Sequence, residues 1–312
     1  MAVHGVAPVA VGVMVATSVL FVLASISIVL RFVARRRTNG TGIDDWTALS
    51  AYIFLLAVSI CHYLITAPYG YAGQPQSEFS VQQMRQFLMV LYADNICYTC
   101  CTVTVKLSIL LLLRRIFTTR PFRITTIVFA GILIVWWITV LCFQIFSCKP
   151  VHSFWDFTLQ ESCIDTTKFY NGVAISNIIF DFALLILPLP MVWQLQMSIR
   201  RKFQVSFIFV LGGFTVICSI LRTHALGTLD VANTTGTITG VGMWTIIECG
   251  VGVICSCLPP TAVLFRSLQD KVRSTVRTHK TNDSVKLLDM GIGSSGSKLE
   301  QHAPPGSQYS VI

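Results

Sequence analysis

The sequence predicts an all-α membrane protein, a seven-transmembrane helix bundle, and three observations predict it. Seven stretches of mostly uncharged residues follow one another along the chain, each long enough for a bilayer crossing, which takes about 20 apolar residues. Lys and Arg collect at every second gap between these stretches. Finally, 54% of the residues are hydrophobic and only 12% are charged, against about 25% charged in an average soluble domain. With a mean hydropathy of +0.69, the chain has too little polar surface to cover a water-soluble globule.

The first span runs roughly from Val6 to Leu30 and ends in Arg31 and Arg35-Arg36-Arg37 rather than in a small-residue cleavage site, so it reads as a retained span and not a secretory signal. The second, Trp46 to Tyr69, opens on Asp44-Asp45-Trp46, the pattern of a helix N-cap followed by an interfacial aromatic anchor. The third and fourth are Phe87 to Leu113 and Ile124 to Ser147. The fifth, Phe169 to Ile199, contains Pro188 and Pro190, which remove backbone donors and invite a kink or an early end. Phe203 to Leu221 and Val231 to Phe265 complete the set, the last closing near Pro259-Pro260. Gly212-Gly213, Gly240/Gly242 and Gly250/Gly252 suit close helix packing.

Arginine placement sets the orientation. One set of alternate gaps holds Arg31, Arg35, Arg36, Arg37, Arg114, Arg115, Arg120, Arg123, Arg200, Arg201 and Lys202; the other holds Arg85, Lys149 and Lys168. Basic residues stay on the cytoplasmic side, so the N-terminus is expected outside and residues 266–312 inside. Residues 1–265 then form the helix bundle, and 266–312 form a basic tail, mostly disordered beyond Thr281 because it is poor in apolar residues. The net charge of +9 therefore faces anionic lipid headgroups rather than nucleic acid. The predicted location is an integral multi-pass membrane protein of the plasma membrane or an endomembrane.

Two further features belong to the outer side. Cys148 and Cys163 share the longest outer loop, where a disulfide is chemically permitted, with Cys97, Cys100 and Cys101 as competing partners. Asn233-Thr234-Thr235 is the glycosylation sequon expected outside, and Asn39-Gly40-Thr41 the one expected inside.

Ionisable residues within the spans carry the functional signal, since a charge at bilayer depth is costly unless paired or wetted. Asp94 and Lys106 lie in span three, Asp181 in span five, Arg222 in span six and Glu248 in span seven. Helical spacing puts Asn95, Thr99, Thr102 and Lys106 on one face, Tyr170, Asn177 and Asp181 on another, Thr215, Ser219 and Arg222 on a third, and Trp244 with Glu248 on a fourth. Interhelical hydrogen bonds alone would explain any single residue. The set together predicts a polar ligand cavity built from Asp94, Asn95, Thr99, Lys106, Asn177, Asp181, Arg222, Trp244 and Glu248, with a Lys106–Asp181 charge pair at its floor. The C-x-x-C-C run from Cys97 to Cys101 has no neighbouring histidine, so no metal site is expected.

In order along the chain, GIDDW (Gly42 to Trp46), KLSILLLLRRIF (Lys106 to Phe117), CKPVHSFW (Cys148 to Trp155), NIIFDFALLILPLPMVWQL (Asn177 to Leu195), FVLGGFTVICSILR (Phe209 to Arg222) and WTIIECGVGVICSCLPP (Trp244 to Pro260) form a pattern. It resembles the fungal rhodopsin-like integral membrane domain, the SAT4 family, related to the PTH11-like receptor candidates. The resemblance implies a fungal seven-helix protein whose relatives include G-protein-coupled receptor candidates and proteins encoded in secondary-metabolite clusters. No cofactor is expected, and retinal least of all: rhodopsins carry it on a seventh-helix lysine, and span seven here has none.

Three functions fit these observations. A receptor-like protein would bind an unknown small molecule from outside and present the basic loops Arg114 to Arg123 and Arg200 to Lys202 to a cytoplasmic partner. A membrane-embedded enzyme of secondary-metabolite biosynthesis would use Asp181, Glu248 or Asp94 as a general acid or base. A transporter would use the same charges as a relay. The receptor-like reading ranks first.

Overall fold

The computed structural model describes residues 8–37, 40–66, 73, 75, 77, 79–156, 163–190, 199–229 and 234–261. Seven helices within them are long and apolar enough to cross a membrane. In chain order they are α1 (Pro8–Arg37), α2 (Ile43–Thr66), α3 (Val81–Ile116), α4 (Arg120–Ile145), α5 (Thr166–Ile186), α6 (Ile199–Gly227) and α7 (Thr234–Thr261).

The helix ends follow from local chemistry. Ser80 and Gln83 form a reciprocal capping box at the start of α3. Pro121 stands in the first turn of α4, where its missing N–H costs no helical hydrogen bond. Asp165 caps α5 by accepting from the Lys168 amide at 3.1 Å. The Lys168 side chain also bonds this exposed carboxyl and holds its pKa below the ordinary value. α5 ends at Ile186, with Leu187 as its cap immediately before Pro188, the early end that the prolines of the stretch Phe169 to Ile199 invite where the ring removes a donor. Asn39, Asn233 and the whole of 266–312 lie outside the described residues, and with them the glycosylation and tail expectations.

Burial separates the helices into a centre and a periphery. Within the apolar stretch of each helix, 72% of α3 and 61% of α7 is buried, against 17% of α4, α5 and α6. The outer faces are apolar: Val15, Val22, Ile26 and Val29 on α1, and Ile127, Val128, Ile132 and Val135 on α4, are all more than half exposed. In a water-soluble fold such stripes would be a liability; here they are the surface that acyl chains cover. Glycines let α7 approach its neighbours. A Cβ on Gly252 would stand 3.0 Å from Val105 of α3, and one on Gly250 would stand 3.0 Å from Leu20 of α1.

The main hydrophobic core gathers Leu55 and Val58 of α2, Tyr98, Val103 and Leu110 of α3, and Ile246 and Val253 of α7. Beyond α4 the chain makes a short 3-10 turn, Val151–Phe154. A disulfide joins Cys148 to Cys163 across it, and the Ile164 amide donates to the Ser147 carbonyl at 2.9 Å. Cys97, Cys100 and Cys101, the alternative partners, are free thiols. The bridge marks the disulfide end of the bundle, and Arg31, Arg35 and Arg115 mark the opposite, arginine end.

Candidate functional site

Four helices place their polar stripes against one another. Lys106 Nζ of α3 lies 2.5 Å from Asp181 Oδ1 of α5 and donates to Asn177 Oδ1 at 3.0 Å. Asn177 Nδ2 donates to Glu248 Oε1 of α7 at 2.8 Å. Arg222 Nε of α6 pairs with Glu248 Oε2 at 3.0 Å, and its guanidinium stacks 4.5 Å from the Tyr98 ring centroid. The Tyr98 hydroxyl stands 3.1 Å from both Glu248 oxygens. Ser219 Oγ lies 2.8 Å from Asp181 Oδ2 and 2.9 Å from Glu248 Oε1.

Two cations and two carboxylates cancel within this network, which is what allows it to be buried. A lone ion at that depth would be far more costly than a pair with every lone pair engaged. The serine hydroxyl has one hydrogen to give and two carboxylates within reach, so the two ion pairs are joined through Ser219 and Asn177 into one unit spanning α3, α5, α6 and α7.

Above the network, towards the disulfide end, lies a cavity of about 250 Å³. Arg222 and Tyr98 meet it from below, Phe154 and Thr166 line it at the disulfide end, and Leu91, Val173 and Ile238 give it apolar walls. Six buried side-chain nitrogen or oxygen atoms have no hydrogen-bond partner among the described residues. Four of them belong to residues lining this cavity: His62 Nδ1, Asp94 Oδ1, Gln144 Oε1 and Arg222 Nη2. Their residues are 5%, 8%, 3% and 6% exposed. A buried polar group left unpaired costs about 1–3 kcal/mol, and four such groups belong to residues of this one cavity.

The assignment of these atoms follows from their neighbours. Thr99 Oγ1 gives its hydrogen to the Asn95 carbonyl at 2.9 Å, so at 2.9 Å from Gln144 it accepts, which makes the facing atom the amide nitrogen and leaves Oε1 as an open acceptor. His62 Nε2 faces Asp94 Oδ1 at 3.6 Å, too long for a hydrogen bond. Below the network a smaller pocket of about 50 Å³, lined by Thr102, Lys106, Asp181 and Glu248 among others, has room for little more than ordered water.

A second ionic cluster closes the arginine end. Arg31 of α1 is fully buried. Its Nε donates to Asp45 Oδ1 at 2.7 Å, its Nη2 to Asp44 Oδ2 at 2.9 Å and to the Asp44 carbonyl at 3.0 Å, and its Nη1 to the Ser256 carbonyl of α7. Arg35 adds bonds of 3.1 Å to Asp45 Oδ1 and 2.7 Å to Asp44 Oδ2, and Arg115 of α3 reaches Asp44 Oδ1 at 3.1 Å. Asp45 Oδ2 accepts from the Gly42 amide at 2.9 Å, and a Cβ on Gly42 would stand 2.6 Å from Asp44 Oδ1. A side chain there would push the Asp44 carboxylate away from Arg115.

This cluster corrects two expectations. Asp44 and Asp45 do more than begin a helix: they neutralise the arginines that close α1, because the α1–α2 turn brings both ends together. Arg31 and Arg35 are therefore buried and do not face headgroups, whereas Arg36, Arg37, Arg114, Arg120 and Arg123 remain exposed.

Of the predicted cavity residues, Asp94, Asn95, Thr99 and Arg222 line the larger cavity. Lys106, Asp181 and Glu248 line the smaller pocket, and Asn177 is a buried link within the network. Trp244 is half-buried and lines neither. Tyr98 and Gln144 were not anticipated. Tyr98 stands one turn before Thr102 at the margin of the α3 stripe, a spacing that would have included it; Gln144 is a lone amide in an otherwise apolar span and gives no pattern. His62 is buried at the cavity wall. Among the described residues no three His, Cys, Asp or Glu side chains converge as a metal set.

Seven apolar helices around a neutralised ionic core define an integral, multi-pass membrane protein. The Fungal rhodopsin domain matches residues 30–267. The chain is 30% identical over 247 residues to a SAT4 family membrane protein of Emericella nidulans, covering 77% of this chain and 62% of that protein. Identity is 31% over 243 residues to wortmanamides biosynthesis cluster protein C of Talaromyces wortmannii, covering 74% of this chain and 64% of the relative. It is 26% over 300 residues to Receptor GIN3 of Arthrobotrys oligospora, covering 93% and 71%. The chain thus spans less than two thirds of the first two relatives. It belongs to the fungal rhodopsin domain family.

Proposed function

We propose that the protein is receptor-like: it binds a small molecule in the 250 Å³ cavity from the outer side and signals to a cytoplasmic protein at the arginine end. The observation that carries this reading is the set of four unsatisfied, buried polar atoms around the cavity, directly above an ionic network that ties four helices. A ligand contacting Arg222 would bias the Arg222–Glu248 pair and, through Ser219 and Asn177, the Lys106–Asp181 pair. α3 continues from Lys106 to Ser108 and Arg115 in the arginine-end cluster, so one helix touches the ligand cavity, the network and the far end. A relative bears the name of a receptor, and the exposed Arg114, Arg120 and Arg123 offer a cytoplasmic partner positive charge. No cofactor enters the reading, since Lys106 is engaged by Asp181 and Asn177.

The geometry favours binding over catalysis. Asp181 and Glu248 are held in ion pairs beside a pocket of about 50 Å³, room for little more than ordered water. Of the three candidate acids only Asp94 lines the larger cavity. A biosynthetic role is the second reading, supported by a relative named as a biosynthesis cluster protein.

Proximity labelling from a C-terminal tag in living cells tests the proposal. Replacing Arg114, Arg120 and Arg123 with Gln should remove at least one labelled cytosolic protein at unchanged expression. An identical labelled set, together with a metabolite missing from the deletion strain, would replace the receptor reading with the biosynthetic one.

A further inference from the structure

Three of the four unpaired atoms on residues lining the cavity specify the chemistry that would close them. Arg222 Nη2 is a cationic donor; Asp94 Oδ1 and Gln144 Oε1 are acceptors. The ionisable side chains lining the cavity, among the described residues, are Arg222, Asp94, His62 and Tyr98, with Tyr170 at its wall. Arg222 shares its Nε with Glu248 while its buried Nη2 has no partner, and a guanidinium edge pairs best with the planar oxygens of a carboxylate. Asp94 and Tyr98, on which Arg222 stacks, are four residues apart on α3, about 6 Å along the helix axis. Asp94 and the Tyr98 ring that carries Arg222 are therefore about one helical turn apart along α3, and Leu91, Val173 and Ile238 give the same cavity apolar walls.

We propose that the cavity binds a small molecule with an apolar, ring-sized body, a carboxylate that seats on Arg222, and a hydrogen-bond donor, hydroxyl or ammonium, that seats on Asp94 and Gln144. A plain hydrocarbon would leave all four atoms unpaired. A cationic amine without an acid would leave Arg222 Nη2 facing a like charge. Water would make no use of the apolar walls; a molecule of the proposed shape offers partners at both ends and covers the walls at once. This ligand class rests on the binding function proposed above.

The full chain in lipid nanodiscs, titrated calorimetrically with four soluble probes, tests the assignment. Hydroxyphenylpropionate carries both groups, phenylpropionate lacks the donor, tyramine replaces the acid with an ammonium, and aminomethylbenzoate carries an acid with an ammonium donor. Hydroxyphenylpropionate or aminomethylbenzoate should bind, and whichever is tighter identifies the donor as hydroxyl or ammonium. Phenylpropionate should bind about tenfold more weakly, the factor a single hydrogen bond to a charged group supplies, and tyramine not at all. Asp94→Asn should reduce the advantage of the donor-bearing acid over phenylpropionate to less than about twofold, because the charged acceptor is gone. Gln144→Leu provides a second variant should Asp94→Asn fail to fold. Equal affinity for all four probes, binding by none of them, or donor discrimination that survives both variants would overturn the ligand class. Binding with the predicted discrimination but no change in cytosolic labelling on ligand addition would instead leave the ligand class standing and remove the signalling role.

Discussion

The two ionic regions of this bundle differ in a way that separates structure from function. At the arginine end, Arg31, Arg35, Asp44 and Asp45 engage one another, backbone carbonyls and the Gly42 amide, and none of their buried side-chain atoms lacks a partner. At the disulfide end, the network from Lys106 to Arg222 is tied just as tightly on its lower side but leaves Nη2 of Arg222, a residue that lines the cavity, buried without a partner. His62, Asp94 and Gln144 leave open atoms around the same hollow. A closed polar cluster fixes helices; an open one is disposed to take something else in. Buried polar atoms alone therefore do not locate a binding site in a membrane bundle. In the proposed reading, their unmet valence does.

The contrast is broken most forcefully at Arg31. Replacing it with Met leaves Asp44 and Asp45 buried with fewer cations, so thermal unfolding in detergent should show a loss of about 3–5 kcal/mol, the usual cost of orphaning a buried charge. In the upper network, Lys106→Met or Asp181→Asn alone should cost up to a similar amount, while the double variant should cost less than the two losses added, because neither ion is then left alone. A double-mutant cycle showing strict additivity would mean that the pair contributes no coupling.

These two regions were unequally legible in the sequence. The network could be anticipated because each charge interrupts an apolar span and falls on a stripe with period 3.6, so Lys106, Asp181, Arg222 and Glu248 announce themselves. Their order in depth followed from span boundaries good to a few residues, as with α3, which begins at Val81 rather than Phe87. The arginine-end cluster escaped because Arg31, Asp44 and Asp45 stand at helix ends, where positive-inside and capping rules already account for such residues. Nothing local reveals that a short turn folds them onto each other and onto Ser256, more than two hundred residues away. Gln144 and His62 are single polar residues without a stripe, and only the packing of α2 and α4 against α3 makes them neighbours of the cavity.

A milder test lies at the loop that ends near the cavity. Removing the Cys148–Cys163 bridge with Cys163→Ser opens a link across a sequence separation of 15, and the chain-entropy model gives about 3 kcal/mol as the upper expectation. The loss should appear in thermal stability with the arginine-end cluster unaffected, checked by whether Arg31→Met then adds its full cost.

The smallest expected effect is also the most informative. Asp94→Asn removes a carboxylate that has an open oxygen and only a distant histidine, so its stability should change by less than about 1 kcal/mol, far below the cost of breaking a satisfied pair. Thermal unfolding of Asp94→Asn and Arg31→Met, each with and without hydroxyphenylpropionate, puts the distinction between the two regions to a direct test. Asp94→Asn is expected to unfold at the wild-type temperature and to lose most of the probe-induced rise. Arg31→Met is expected to unfold much earlier and to keep that rise. The opposite pattern, with Asp94→Asn destabilised as severely as Arg31→Met or still fully stabilised by the probe, would contradict the assignment of the open polar atoms to ligand binding.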